Sequence, residues 1–401
     1  MIAVGVLVLT ILGLPVLACA TYLVALALAA RPAAAASRVE ERAPRLRFDL
    51  VVPAHDEEQG IRATIANLRA LDYPADRFRI LVVADNCTDA TARVAAEAGA
   101  LVLQRRDPSR RGKGYALARG FERVEADAVA DVVVVIDADT LASPNLLRAF
   151  ARHFEAGAGA VQASYGVRDP GASWRSRLMV IALAVFHGLR SLGRERLGLS
   201  VGLRGNGMGF TREVLRRVPA DAFSVVEDVE YGIKLAEAGV RIGYVPEAQV
   251  LGDMAPRGAA AATQRRRWEG GRATIAAAHA PRLLREGLAR RDAIRLDLAM
   301  DLLVPPLSSL ALAATLGALA ALAWHLALGG SATILAPWLL SLAFLTAYVL
   351  RGVSLSGAGP RGLLTLLWAP VYVAWKLGLR LRRSPRGAQE WIRTARDGGR
   401  S

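Results

Sequence analysis

Only two cysteines, Cys19 and Cys87, occur in 401 residues, which excludes a disulfide-stapled secreted scaffold. Lysine is nearly missing as well. It stands only at 113, 234 and 376, so the excess of 51 Lys+Arg over 36 Asp+Glu is almost all arginine. Charged residues make up 22% against 53% hydrophobic, too apolar for an ordinary soluble domain and too apolar for a disordered chain. No repeat with a period of roughly 20–50 residues is present, which excludes a solenoid. The formal charge of +15 leaves nucleic acid, an anionic membrane surface or phosphate-bearing substrates as partners, and the position of the charge decides among them.

The apolar residues are gathered in runs. Residues 2–30 carry no charged side chain, a run longer than the roughly 20 residues that cross a bilayer as a helix. A signal peptide is the competing reading, but the start lacks a basic segment and the run outlasts the usual ~7–15 apolar residues. Arg31, Arg38, Arg42, Arg45 and Arg47 follow directly, placing the next segment in the cytoplasm by the positive-inside rule. Further apolar stretches cover 302–328, 332–350 and 362–379. The last contains Pro370 and Lys376 and is expected to lie at the interface or re-enter, because the arginine-rich tail beyond it also belongs inside. The basic charge therefore sits beside membrane segments, which argues against nucleic acid. The expected organisation is an anchor at 1–31, a cytoplasmic catalytic domain at 48–280, an interfacial helix at 281–300, transmembrane or re-entrant helices at 301–380 and a basic cytoplasmic tail at 381–401.

Between the membrane segments, strands alternate with helices. Phe48–Pro53, Arg79–Ala84, Leu101–Leu103 and Asp131–Ile136 are short apolar runs, separated by helical stretches around 61–68, 88–98 and 115–125. Continuous β-branched runs mark strands buried on both faces, hence an α/β domain with a mostly parallel sheet. Ligands of such sheets bind at the carboxyl ends of the strands. There stand His55-Asp56-Glu57-Glu58, Asp85-Asn86 and Asp137-Ala138-Asp139. A lone Asp-x-Asp is an ordinary strand end. Sharing an edge with Asp85, this pair instead suits Mg²⁺ or Mn²⁺ bridging to substrate phosphates.

Val225-Val226-Glu227-Asp228 precedes a helix expected over Val229–Glu237 and closed by Gly239. Acidic residues cap helices, but a carboxylate beside a bound nucleotide also serves as general base on an acceptor hydroxyl. Gln264-Arg265-Arg266-Arg267-Trp268 combines phosphate-binding guanidinium forks with a stacking face. Arg105-Arg106 and Arg110–Gly114 form a basic flexible loop that does not match a P-loop. Gly205–Phe210 has little side-chain bulk, fitting either close approach by a sugar or a plain turn before a helix at 212–217.

In this order, Asp85, Asp137-x-Asp139, Glu227-Asp228 and Gln264-x-x-Arg267-Trp268 resemble the membrane-bound family 2 glycosyltransferases, which include cellulose, chitin and hyaluronan synthases and ceramide glucosyltransferases. The opening Pro53–Glu58 is similar to the family's Pro-Ala-x-Asn-Glu segment, with Asp56 where Asn is more usual. The resemblance covers about residues 48–275 and implies the GT-A fold, an α/β nucleotide-sugar-binding domain flanked by transmembrane helices. It further implies a UDP-sugar donor, Mg²⁺ or Mn²⁺, and inversion at the anomeric carbon. By that resemblance Pro53, Ala54 and Glu57 contact uridine, Asp85 the uracil edge, and Lys113 and Asp137 the rest of the nucleotide. Asp139 ligates the metal and Asp228 is the base. Glu227, Gln264, Arg267 and Trp268 line the acceptor and diphosphate site, and Trp391, Thr394 and Arg396 resemble a gating segment.

The expected acceptor is lipid-linked or a glycan at the inner face of a bacterial cytoplasmic membrane, with membrane lipids around the protein and a partner subunit left open. One rival is a processive synthase that extrudes its product, although three or four helices are few for a channel. A transporter would need intramembrane charge, and 302–350 offers essentially His325. A nucleotidyltransferase would need neither Gln264–Trp268 nor an anchor.

Overall fold

The computed structural model describes residues 2–31, 44–224, 226–253, 258–329 and 331–381, without the side chains of 2–4, 258–269, 375–377 and 379–381. Eight strands are present: β1 (Phe48–Ala54), β2 (Phe78–Asp85), β3 (Leu101–Arg105), β4 (Val132–Val135), β5 (Leu141–Ala142), β6 (Ala160–Val167), β7 (Met208–Thr211) and β8 (Ile242–Gly252). The helices are α1 (Ile2–Ala29), α2 (Ile61–Arg69), α3 (Thr91–Glu97), α4 (Lys113–Asp127), α5 (Leu146–Glu155), α6 (Trp174–Leu183), α7 (Arg190–Arg196), α8 (Arg212–Arg217) and α9 (Glu227–Glu237). They continue with α10 (Gly258–Arg290), α11 (Ala293–Leu303), α12 (Leu307–Leu328), α13 (Ala336–Leu355), α14 (Gly359–Leu366) and α15 (Ala369–Leu381).

The strands form one sheet in the order β3-β2-β1-β4-β7-β6-β8-β5. β3, β2, β1 and β4 are parallel neighbours, β7 is antiparallel to both β4 and β6, and β5 is antiparallel to β8. The four β-branched runs read from the sequence are thus the parallel half, and side chains along them alternate between two helix layers. Leu50 and Val52 of β1, with Val132 and Val134 of β4, pack in the layer holding α2 and α5; Val51, Val133 and Val135 pack in the one holding α4. Pro53 ends one ladder. The Val51 carbonyl accepts from Ile136 N (3.1 Å), and the next amide on that side would be that of residue 53, which as proline has none. β1 and β4 part there, and the chain turns out at Asp137.

Among the described residues, four helices are long and apolar enough to cross a membrane: Gly5–Ala29, Trp174–Arg196, Leu307–Leu328 and Ala332–Leu355. The second lies inside the stretch read from sequence as soluble. Two glycines seat it: a Cβ on Gly193 would stand 2.3 Å from the Leu26 carbonyl oxygen of α1, and Gly352 of α13 meets Val185 at 2.2 Å. Close packing by small residues thus joins this helix to the membrane helices. The boundary expected at 280/281 falls inside α10, whose break comes at Arg291–Asp292, and residues 362–379 divide between α14 and α15.

Buried ion pairs tie these helices together. The Arg194 side chain, 1% exposed, donates to Asp297 (2.7 Å) and contacts Asp301 (2.8 Å). Arg190 reaches Asp301 (3.1 Å) and the Tyr348 hydroxyl (2.9 Å), and Arg272 of α10 reaches Asp301 (2.8 Å). The Tyr22 hydroxyl of α1 donates to Asp297 (2.7 Å). Each pair offsets the desolvation of the next.

Candidate active site

The polar residues that sequence places after β1, β2 and β4 gather at one edge of the sheet. Asp85, fully buried, accepts from Arg105 Nη1 (2.6 Å), which also donates to the Arg110 carbonyl (2.8 Å). Arg105 therefore folds the basic loop back onto the sheet, a role that sequence reading missed because the loop lacks any periodic signal. Asp56 and Asn86 take positive φ (54° and 51°), and the Asp56 carboxylate accepts from Thr88 N (2.6 Å). Pro53 and Ala54 end β1 in this region, and the Glu57 amide donates to Thr91 Oγ1 (2.7 Å). Asp56, Cys87 and Asp89 lie close enough to surround a cation, but Asp56 and Asp89 already accept turn amides from Thr88 and Thr91.

Lys113, the first residue of α4, ties the centre together. Its ammonium donates to the Asp137 carboxylate and to the Gly205 carbonyl (2.6 Å), with Glu227 at 3.9 Å. Asn206 supports the same turn: Asp137 N donates to its Oδ1 (3.1 Å), and its Nδ2 donates to Thr140 Oγ1 (2.7 Å). Gln162 fixes the loop from β6 by donating to the Asn206 carbonyl (2.8 Å) and accepting from Arg204 N (2.9 Å). Gly205 has φ +75°, and a Cβ there would stand 3.4 Å from Lys113 Nζ and 3.6 Å from Asp228 Oδ2. The low-bulk loop is thus where the backbone approaches the charged centre.

Glu227 and Asp228 begin α9. Glu227 is 14% exposed. Burial, with the Asp228 charge beside it, pushes its carboxyl up to about 7 against the pull of Lys113. Burial also raises Asp228, opposed by the Val229 amide, Lys113 and Arg204. A carboxylate held above its ordinary range is a better proton acceptor, as a general base requires.

At the far end of the edge, β5 pairs antiparallel to β8 with Leu141 opposite Leu251. Beyond β8 stands Asp253, a residue sequence reading did not single out. With Asp137 and Asp139 it lies within electrostatic reach of Tyr165, whose hydroxyl is raised by burial and by these three carboxylates. Carboxylate oxygens of this kind fit Mg²⁺ or Mn²⁺. Gln264, Arg267 and Trp268 lie on α10 at a spacing that shares one helix face, with side chains outside the described set. Trp391, Thr394 and Arg396 lie outside the described residues.

Close packing also sets the start of α4. A Cβ on Gly114 would sit 2.2 Å from the Ala222 carbonyl oxygen. Gly114→Ala is therefore expected to cost about 1–3 kcal/mol, read as a lowered Tm; an unchanged Tm would show that the two segments separate freely.

Residues 44–271 match the model of a family described as "Glycosyltransferase like family 2". A probable glycosyltransferase of Bacillus subtilis, YdaM, is 27% identical over 213 residues, covering 50% of this chain and 49% of that protein. The beta-monoglucosyldiacylglycerol synthase of Synechocystis sp. is 28% identical over 233 residues, 55% of this chain and 47% of that one. The chain spans about half the length of these relatives. Its fold is similar to that of the mannosyltransferase PcManGT from Pyrobaculum calidifontis, solved with GDP-Man and Mn²⁺, with a TM-score of 0.56, 20% identity, and coverage of 88% of this chain and 98% of that one. With more than half of its length matched, the chain belongs to glycosyltransferase family 2, and its domain has the GT-A fold.

Proposed function

We propose that this enzyme moves a sugar from a UDP-sugar to a membrane-associated acceptor in a single displacement with inversion, Asp228 taking the acceptor proton. The observation that carries the reading is the Lys113 ammonium, which bridges Asp137 at the sheet edge and Glu227 beside Asp228. The donor diphosphate lies at the N-terminus of α4, where the helix dipole and Lys113 favour an anion. Asp139, with Asp253 sharing the surroundings of Tyr165, would hold Mg²⁺ or Mn²⁺, which when bound would neutralise charge on the leaving diphosphate. Pro53, Ala54, Glu57 and Asp85 frame the base, while Gln264, Arg267 and Trp268 on α10 close the acceptor side. Fixing both substrates in line supplies much of the rate. The four apolar helices are few for a channel and favour a single transfer or short extension. The arginines after α1 support a catalytic domain on the cytoplasmic face of a bacterial inner membrane.

The test is nucleotide release by the full chain in lipid nanodiscs, across UDP- and GDP-sugars with Mg²⁺ or Mn²⁺ and added lipid extract. Release with one UDP-sugar is expected. Release only with a GDP-sugar would replace the nucleoside assignment, and none at all would reject the donor class. In the same assay Asp139→Ala is expected to abolish metal-dependent nucleotide binding; intact binding would remove it from the metal site.

A further inference from the structure

Between the base and the membrane helices lies a group of cations that the transfer reading does not use. The helix from Trp174 to Arg196 is interrupted by a π-helical turn, Ala184–Leu189, an irregularity that often marks functional sites. This turn presents Phe186 and His187. Three guanidinium groups converge on the Phe186 ring, with Cζ at 4.5 Å for Arg190, 5.3 Å for Arg204 and 5.6 Å for Arg272. Arg190 and Arg272 are ion-paired to Asp301. Arg204 is not. Its Nε and Nη2 are shut away from solvent with no hydrogen-bond partner among the described residues, as is Nδ1 of His187. Burial and the Arg194 and Arg272 charges lower Arg204 to about 10 despite Asp301 and Asp228 nearby.

Among the described side chains the charge does not balance: Arg190, Arg194, Arg204 and Arg272 face two carboxylates, Asp297 and Asp301. Asp228 lies within electrostatic range of Arg204, yet no hydrogen bond joins them among the described residues. Buried donors left unpaired are costly, so this arrangement suits an anion supplied from outside the chain. Its surroundings give the direction of entry. Tyr348 of α13 and Tyr22 of α1 bond the same cluster, so it lies against the membrane helices. The His187 ring stands 5.8 Å from that of Tyr165, beside the Asp137 and Asp139 carboxylates. The donor's diphosphate is already provided for at Lys113, on the other side of Asp228.

We infer that Arg204, Arg272 and His187 form a subsite for the phosphate of a membrane lipid, which holds the acceptor with its hydroxyl at Asp228. Planar guanidinium forks bind phosphate oxygens bidentately, and a π-turn at the rim lets the ring of His187 reach the same anion. The acceptor role rests on the glycosyl-transfer reading; binding of a lipid phosphate does not.

The full chain in dodecyl maltoside micelles, which carry no phosphate, would be titrated with farnesyl phosphate, farnesol, inorganic phosphate and UDP, with bound species read by native mass spectrometry. Wild type is expected to bind farnesyl phosphate at least about tenfold more tightly than farnesol or inorganic phosphate. Arg204→Gln and Arg204→Met should lose that preference, with Arg204→Lys in between and UDP affinity unchanged in all three. The methionine variant keeps a long side chain over Phe186 and so guards against failure to fold; if both neutral variants unfold, the wild-type comparison decides. Equal binding of farnesol would overturn the inference. So would displacement by equimolar inorganic phosphate, which would mark a plain anion site, or a parallel loss of UDP, which would assign Arg204 to the donor. Phosphate-selective lipid binding without nucleotide release from any donor would sink the transfer reading and leave this subsite standing; release without lipid preference would do the reverse.

Discussion

Asp228→Asn is expected to lower sugar transfer by about 10²–10⁴-fold while leaving nucleotide-sugar affinity nearly unchanged. The amide keeps the shape of the side chain and can still accept from the Val229 amide, which bonds Asp228 Oδ1 at 2.8 Å. What it loses is the ability to take a proton. Lys113, which carries the nucleotide side of the site, bonds Asp137 and Gly205 and keeps both contacts in the variant. The substitution therefore separates binding from chemistry. The pH profile gives an independent check. Burial raises both carboxyls, which titrate as a coupled pair, with Glu227 held up to about 7. The rate should then fall through an acid limb above the ordinary carboxylate range, as Asp228 itself is protonated. The residual rate of the Asn variant should lack that limb. Turnover and limb both surviving in Asp228→Asn would mean that another group accepts the proton.

Asp301→Ala should have the largest effect on stability, a loss of about 3–5 kcal/mol. Three arginines lean on this carboxylate: Arg190 (3.1 Å), Arg194 (2.8 Å) and Arg272 (2.8 Å). Removing it leaves Arg190 and Arg272 with no carboxylate partner among the described residues, while Arg194 keeps Asp297. Because Arg272 belongs to α10, the helix that carries Gln264, Arg267 and Trp268, transfer should weaken together with the Tm. Apolar replacement of a whole pair behaves differently from removal of one member. Arg194→Met with Asp297→Leu should cost less than Asp297→Leu alone, since the double variant leaves no unpaired charge at that position. A Tm for Asp301→Ala within a degree or so of wild type would show that water reaches the cluster and screens it.

The parallel half of the sheet was legible because β-branched runs ending in polar residues have few other structures to adopt. Phe48–Pro53 and Asp131–Ile136 lie in adjacent strands with Asp137 at the edge, and the family motifs fall where those strands end. The helix from Trp174 to Arg196 was not legible as a membrane-associated element. Its arginines interrupt the apolar run, and only packing against α1 and α13 shows that Arg190 and Arg194 are buried and paired.

By itself the sequence determined the α/β class, the apolar flanks and the order of acidic motifs, because each is a local pattern of hydrophobic period or residue spacing; the GT-A fold came from the family resemblance those motifs carry. The tertiary structure alone decided that Arg105 covers Asp85, that Asp253 joins Asp137 and Asp139 around Tyr165, and that Nε and Nη2 of Arg204 are buried with no partner among the described residues. These depend on which distant segments meet. Burial turns a spacing of residues into a charge balance, and burial is a property of the whole packed chain rather than of any stretch of it.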